Sequence, residues 1–180
     1  MSVITTDDLI DHLNLPDDGS AGLLVPIIAT SQATVEKLTA KALTSQSLVA
    51  RFNAFGSGLV LPVAPVQSVD TITYLDDDRA EQTLVAADFF AHPTGHDDER
   101  TTIIISALNK TFPNTASIAA AVTVSYTVGY STVPAPLIHA VKLIAGHFYE
   151  NREATLVGVK AEEIPLGIMD LIANYREPVF

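Results

Sequence analysis

Residues 122–153 read VTVSYTVGYSTVPAPLIHAVKLIAGHFYENRE, and this stretch decides how the chain is built. Val122, Val124 and Tyr126 alternate with Thr123, Ser125 and Thr127, the period of two that a half-buried strand requires. The chain then turns through Tyr126-Thr127-Val128-Gly129-Tyr130 and Val133-Pro134-Ala135-Pro136. Pro136 fits the first turn of a helix, where its missing N–H has no intrahelical bond to lose. Leu137, Ile138, Val141, Ile144, Ala145, Phe148 and Tyr149 follow on one apolar stripe, so a helix is expected over 134–153. Its end, Tyr149-Glu150-Asn151-Arg152-Glu153, is polar, with Arg152 placed to favour the negative end of the helix dipole.

Working outward towards the N-terminus, Thr5-Thr6-Asp7-Asp8 offers capping oxygens and first-turn acids, and Leu9, Ile10 and Leu13 follow at helical spacing. A short helix over 6–13 is expected, broken by Leu15-Pro16-Asp17-Asp18-Gly19-Ser20. Ser20 can cap a second helix, around 22–43, that carries Leu23, Leu24, Ile27, Ile28, Val35 and Leu38 on one face. Pro26 should kink that helix or delay its start.

From Ser47 to Tyr74 the period falls towards two, with Leu48, Ala50, Phe52, Leu59-Val60-Leu61, Val69, Ile72 and Tyr74 as strand residues. Asp76-Asp77-Asp78-Arg79 reads as a turn, 82–90 and 101–106 as further strands around a polar loop at His92 to Glu99, and 118–128 as the last strand. After a break at 155–163, Ile164-Pro165-Leu166-Gly167 leads into a closing helix with Ile168, Met169, Leu171, Ile172 and Tyr175, then a tail from Arg176 to Phe180. The result is an α+β chain without repeats or an internal linker: helices in 1–46, a β-rich segment over 47–128, a core helix over 134–153, and a C-terminal helix and tail over 164–180.

The totals narrow the function. A chain of 180 residues fits one domain and can bury roughly 70% of its unfolded surface. Hydrophobic residues make up 48% of it, yet no apolar run reaches the roughly 18 residues of a membrane span, so no membrane is expected as partner. The N-terminal residues lack a basic region followed by a hydrophobic one, so synthesis in the cytoplasm without a secretory signal is expected. Cysteine is absent, which removes disulfides, thiolate nucleophiles and cysteine zinc sites. Ten Lys and Arg against 21 Asp and Glu give a formal net charge of −11, which disfavours gripping phosphates but suits a wall past which DNA slides.

Candidate chemistry is sparse. His92, His96, Asp97, Asp98 and Glu99 have metal-binding side chains, but neighbouring residues point in different directions, and a solvated loop is the simpler reading. Asp76-Asp77-Asp78 lacks the spacing of a calcium loop. Gly56-Ser57-Gly58 lacks the spacing and following helix of a nucleophile elbow and reads as a hairpin turn. His139 and His147 lie two helical turns apart and read as core-edge or interface residues. No nucleotide-binding glycine motif is present, so neither a catalytic residue nor a metal or cofactor is expected. Phe148 and Tyr149 beside Glu150, Arg152 and Glu153 have the composition of an interface edge, aromatic anchors flanked by charges.

Taken in order, the short first helix, the second helix, Leu61-Pro62-Val63-Ala64-Pro65-Val66-Gln67-Ser68-Val69 before Ile72-Thr73-Tyr74, the Tyr126 to Tyr130 turn, the Tyr149 to Glu153 helix end and the Ile164-Pro165-Leu166-Gly167 helix resemble the head-tail connector (adaptor) proteins of tailed bacteriophages. Gene transfer agents and prophages carry similar proteins. The resemblance spans most of the chain and implies a single connector domain over 1–180: a small bundle of three to four helices with a β-strand insertion between the second and third. It implies a non-enzymatic role in the neck of a virion or phage-like particle, as a homo-oligomeric ring of about twelve copies. The portal protein would bind one side and stopper or tail proteins the other, with DNA passing through unbound. Phe148, Tyr149, Arg152, Ile164, Leu166, Ile168, Tyr175, Arg176 and Phe180 are the expected oligomer or portal contacts. Two rival readings remain open, another neck component such as a stopper or tail-completion protein, and a small metal-dependent hydrolase using the His92 to Glu99 loop.

Overall fold

The computed structural model describes residues 2–16, 21–93, 102–151 and 166–176. Among them are four α-helices, α1 (Thr6–Leu13), α2 (Ala21–Thr39), α3 (Ala135–Glu150) and α4 (Leu166–Ile172), and seven strands. The strands are β1 (Gln46–Phe52), β2 (Leu59–Val60), β3 (Val66–Leu75), β4 (Glu81–Thr83), β5 (Phe89–Pro93), β6 (Thr102–Ser106) and β7 (Val122–Val128). The chain is therefore α+β, and it divides into two compact units, Met1–Thr44 with Ser131–Phe180, and Ser45–Tyr130.

In the helical unit, α2 packs on α3, which also meets α1 and α4. The α1 start follows from local chemistry: the Thr5 hydroxyl accepts from the Asp8 backbone N–H at 3.1 Å, and Asp8 Oδ2 accepts from the Thr5 N–H at 2.9 Å, a reciprocal capping box. The Thr5 backbone N–H and the Thr5 hydroxyl, which also donates to Asp8 Oδ2 at 2.8 Å, hold the Asp8 carboxyl below the usual carboxylate range, aided by the Lys142 ammonium. Asn14 ends the helix in the left-handed conformation. On α3, Leu137, Val141, Ile144 and Ala145 are buried as the stripe requires, and Ala140 and Gly146 are buried with them.

The second helix departs from expectation. It runs unbroken from Ala21 through Pro26, so its start is not delayed. Pro26 and Gly22, whose carbonyl loses a donor to the proline, are both exposed, where water can take the bond. Leu24, Ile28 and Val35 are buried, but Leu23 is 57% exposed. Ser31, Gln32 and Thr39 complete the inner face instead. Ser20, the expected cap, lies outside the described residues.

In the β unit, all pairing is antiparallel, in a four-stranded sheet ordered β1-β7-β3-β4 and a three-stranded one ordered β2-β6-β5. Strand β7 is central to the larger sheet, and Val122, Val124, Tyr126 and Val128 are each no more than 1% exposed. Phe55 stacks on Phe112 with ring centroids 4.6 Å apart and meets the Tyr74 ring edge-on at 5.6 Å. Tyr126 pairs with Leu48 on one side and Val69 on the other, and burial raises its phenol above the ordinary value against a backbone hydrogen bond with Val63.

Three sequence readings are corrected here. The last strand begins at Val122 rather than at residue 118, because Ala120 adopts a positive φ of 58° and its N–H goes to the Asn53 side chain at 3.0 Å. The strand expected over 82–90 is divided into β4, a short 3-10 turn at Ala86–Asp88, and β5. Gly56-Ser57-Gly58 is not a hairpin between paired neighbours, since β1 pairs with β7 and β2 with β6, so this turn carries the chain from one sheet to the other. Gly56 has φ 57°, and a β-carbon on Gly58 would sit 3.0 Å from the Ile104 carbonyl oxygen. The Asp76 turn is as expected: Asp76 Oδ1 accepts from the N–H groups of Asp78 and Ala80 at 3.0 and 2.9 Å.

Candidate assembly interface

The end of α3 places Phe148 and Tyr149 on half-exposed ground, with the His147 and Phe148 rings 6.1 Å apart. The helix is closed by Asn151, whose side-chain amide donates to the His147 carbonyl at 3.0 Å. Arg152, Ile164 and Phe180 lie outside the described residues, and Leu166 is the first residue of α4. Ile168 is 3% exposed and Ile172 fully buried, so both side chains are covered within this chain. Of the other expected C-terminal contacts, Tyr175 is half-buried and Arg176 exposed.

The other candidate chemistry is dispersed. His92 is on β5, paired with Ile103, rather than in a loop. His96, Asp97, Asp98 and Glu99 lie outside the described residues. Among the described residues, no three His, Cys, Asp or Glu side chains converge for a metal ion, and no buried side-chain polar atom lacks a hydrogen-bond partner. A groove bounded by Asn53, Ala54 and residues 115–119 has no titratable side chain in its lining. No helix among the described residues is long and apolar enough to cross a membrane.

The sequence missed one pairing. His12 on α1 and His139 on α3 meet edge to face with ring centroids 5.9 Å apart. Nothing in one-dimensional spacing joins residues so far apart in the chain. Beside them, Lys142 Nζ lies 3.6 Å from Asp8 Oδ1, a second tie between the same helices.

Residues 93–176 match the family of phage gp6-like head-tail connector proteins, which bears out the resemblance read from the sequence. Among solved structures, the chain is similar to a chain in the neck of an empty gene transfer agent particle computed with C6 symmetry. Identity there is 29% over 98% of this chain and 91% of that one, with a TM-score of 0.77. A chain in the virion of a native gene transfer agent particle is 25% identical, over 100% of this chain and 96% of that one, with a TM-score of 0.75. A chain in the neck of a native particle computed with C12 symmetry is 27% identical over the same shares, with a TM-score of 0.69. Among curated proteins, no sequence match is found.

Proposed function

We propose that the chain is a structural head-tail adaptor in the neck of a tailed phage or gene transfer agent particle, and that it performs no catalysis. The observation that carries this reading is the likeness to a particle neck chain over 98% of the sequence at 29% identity. In this reading the helices form a bundle into which strands 46–128 are inserted, and the whole chain acts as one connector domain. Copies meet through a heterologous contact whose rotation closes into a ring. The C12 symmetry of one similar neck supports twelve copies under a portal. A stopper or tail protein binds the opposite side, and the net charge of −11 lets DNA pass without adhering.

For Phe148, Tyr149, Tyr175 and Arg176, partial or full exposure supports a contact role. Phe148, Tyr149, Tyr175 and Arg176 face a neighbouring subunit or the portal, together with Arg152, Ile164, Leu166 and Phe180. Ile168 contributes indirectly, by seating α4 on its own unit. Exposed apolar side chains such as Leu23 and Val25, at 57% and 58%, also suit a protein that completes its packing by association.

Heads that carry a portal but no adaptor provide the test. Full-length chain should sediment with them and make them competent to accept tails, and a chain ending at Arg176 with Arg176→Glu should be retained less. Absence of the full-length chain from the pellet contradicts the reading. Retention that needs another neck protein already on the portal assigns the chain to a stopper position instead.

A further inference from the structure

We propose that His12 and His139 form a two-imidazole site for a divalent transition-metal ion of the zinc type, which clamps α1 onto α3. The geometry is what carries it: two rings from different helices, both exposed, with centroids 5.9 Å apart and planes at 88°. Neutral imidazole is the commonest protein ligand for such ions. With metal–nitrogen bonds of about 2.0–2.1 Å, a tetrahedral ion holds two ring centroids about 5 Å apart, so the rings must close by somewhat under an ångström, and the ring met on its face must also rotate to turn a nitrogen towards the ion, which the exposure of both side chains allows. Water completes the coordination, because no third His, Asp or Glu converges there among the described residues.

The surroundings tolerate the added charge. Asp8 lies one turn before His12 on α1 and Lys142 one turn after His139 on α3, and these two already pair at 3.6 Å, so their charges offset each other beside the rings. Asp11 adds a negative charge next to His12 in sequence. The site lies outside the β strands and does not depend on the adaptor reading. It is also separate from the loop metal site considered for a hydrolase, since it uses neither His92 nor His96.

Calorimetric titration of Zn2+ into the full chain, carrying no added histidines, tests it. One ion per chain should bind saturably at pH 7.5, and binding should weaken at least about a hundredfold at pH 5, because protons compete with metal for imidazole ligands. His12→Ala and His139→Ala should each weaken it at least about tenfold, while His96→Ala leaves it unchanged. Both substitutions are at exposed positions, and circular dichroism checks that α1 and α3 persist in each variant. Absence of saturable uptake by the native chain, or uptake that survives both substitutions, overturns the proposal. Loss on His96→Ala alone gives the ion to the 92–99 loop instead. None of these outcomes bears on whether the chain binds portal-bearing heads.

Discussion

A β-carbon placed on Gly146 of α3 falls 3.0 Å from Cδ2 of Leu13 at the end of α1. The glycine is buried, and its missing side chain is what lets the two helices approach at this level. Two effects therefore oppose each other in Gly146→Ala: a gain in helix propensity of about 0.8–1 kcal/mol, and displacement of a flexible leucine tip by a few tenths of an ångström. Urea denaturation should find Gly146→Ala within about 1 kcal/mol of the native protein, whereas Gly146→Leu, which overfills the site, should lose about 1–3 kcal/mol. A large loss from alanine would mean that Leu13 cannot yield.

The α1 cap makes a separate prediction. Thr5→Ala removes the acceptor for the Asp8 N–H and should cost about 1 kcal/mol. Because hydrogen bonds from Thr5 and then the Lys142 charge depress the Asp8 carboxyl, its contribution is complete above the unfolded value near 3.8 and disappears as pH falls through the lower folded value. Stability measured from pH 5 downward should therefore fall less steeply in Asp8→Asn than in the native chain. Parallel curves would remove Asp8 from the account of acid sensitivity.

Tyr126 titrates in the opposite sense. Burial raises its phenol above 10.0, so the folded state keeps a proton that the unfolded chain releases. Its contribution holds below the unfolded value and is lost as pH rises through the folded one. Alkaline unfolding above about pH 10 should thus be less steep in Tyr126→Phe than in the native chain. The same substitution should cost about 1 kcal/mol at neutral pH, through loss of the hydrogen bond with Val63.

How much of this was legible in the sequence depended on how local its cause was. The α1 boundaries and its cap were readable because Thr5 and Asp8 act across three residues, and the β7 alternation was readable because burial repeats every second residue. The inner face of α2 was misjudged because hydropathy says nothing about satisfied polar groups. Ser31 and Thr39 return their hydroxyl hydrogens to the Ile27 and Val35 carbonyls at 2.7 and 2.8 Å, and the Gln32 side chain accepts from the Val3 N–H at 3.0 Å, so all three can be buried. The division into two sheets was hidden because it joins β1 to β7, and Gln46 to Val128, across most of the intervening chain. At the candidate interface, Phe148 and Tyr149 stand out by composition beside charged neighbours, but the burial of Ile168 depends on α4 packing on α3, which no local pattern encodes.

For the interface, Tyr175→Ala combined with Arg176→Glu should reduce retention on portal-bearing heads several-fold while leaving the far-ultraviolet circular dichroism unchanged. The control is Ile172→Ala, which opens a fully buried position and should instead lower stability by about 2–5 kcal/mol. If the surface pair leaves retention intact, the contact lies elsewhere on the chain.

The adaptor role is tested most directly by a cryo-electron microscopy reconstruction, computed without imposed symmetry, of the neck of particles assembled with this chain. The account predicts a closed ring of copies of this fold between the portal and the next neck component, with an open channel along its axis. Complete, infectious or gene-transferring particles whose neck contains no density for this chain would contradict it.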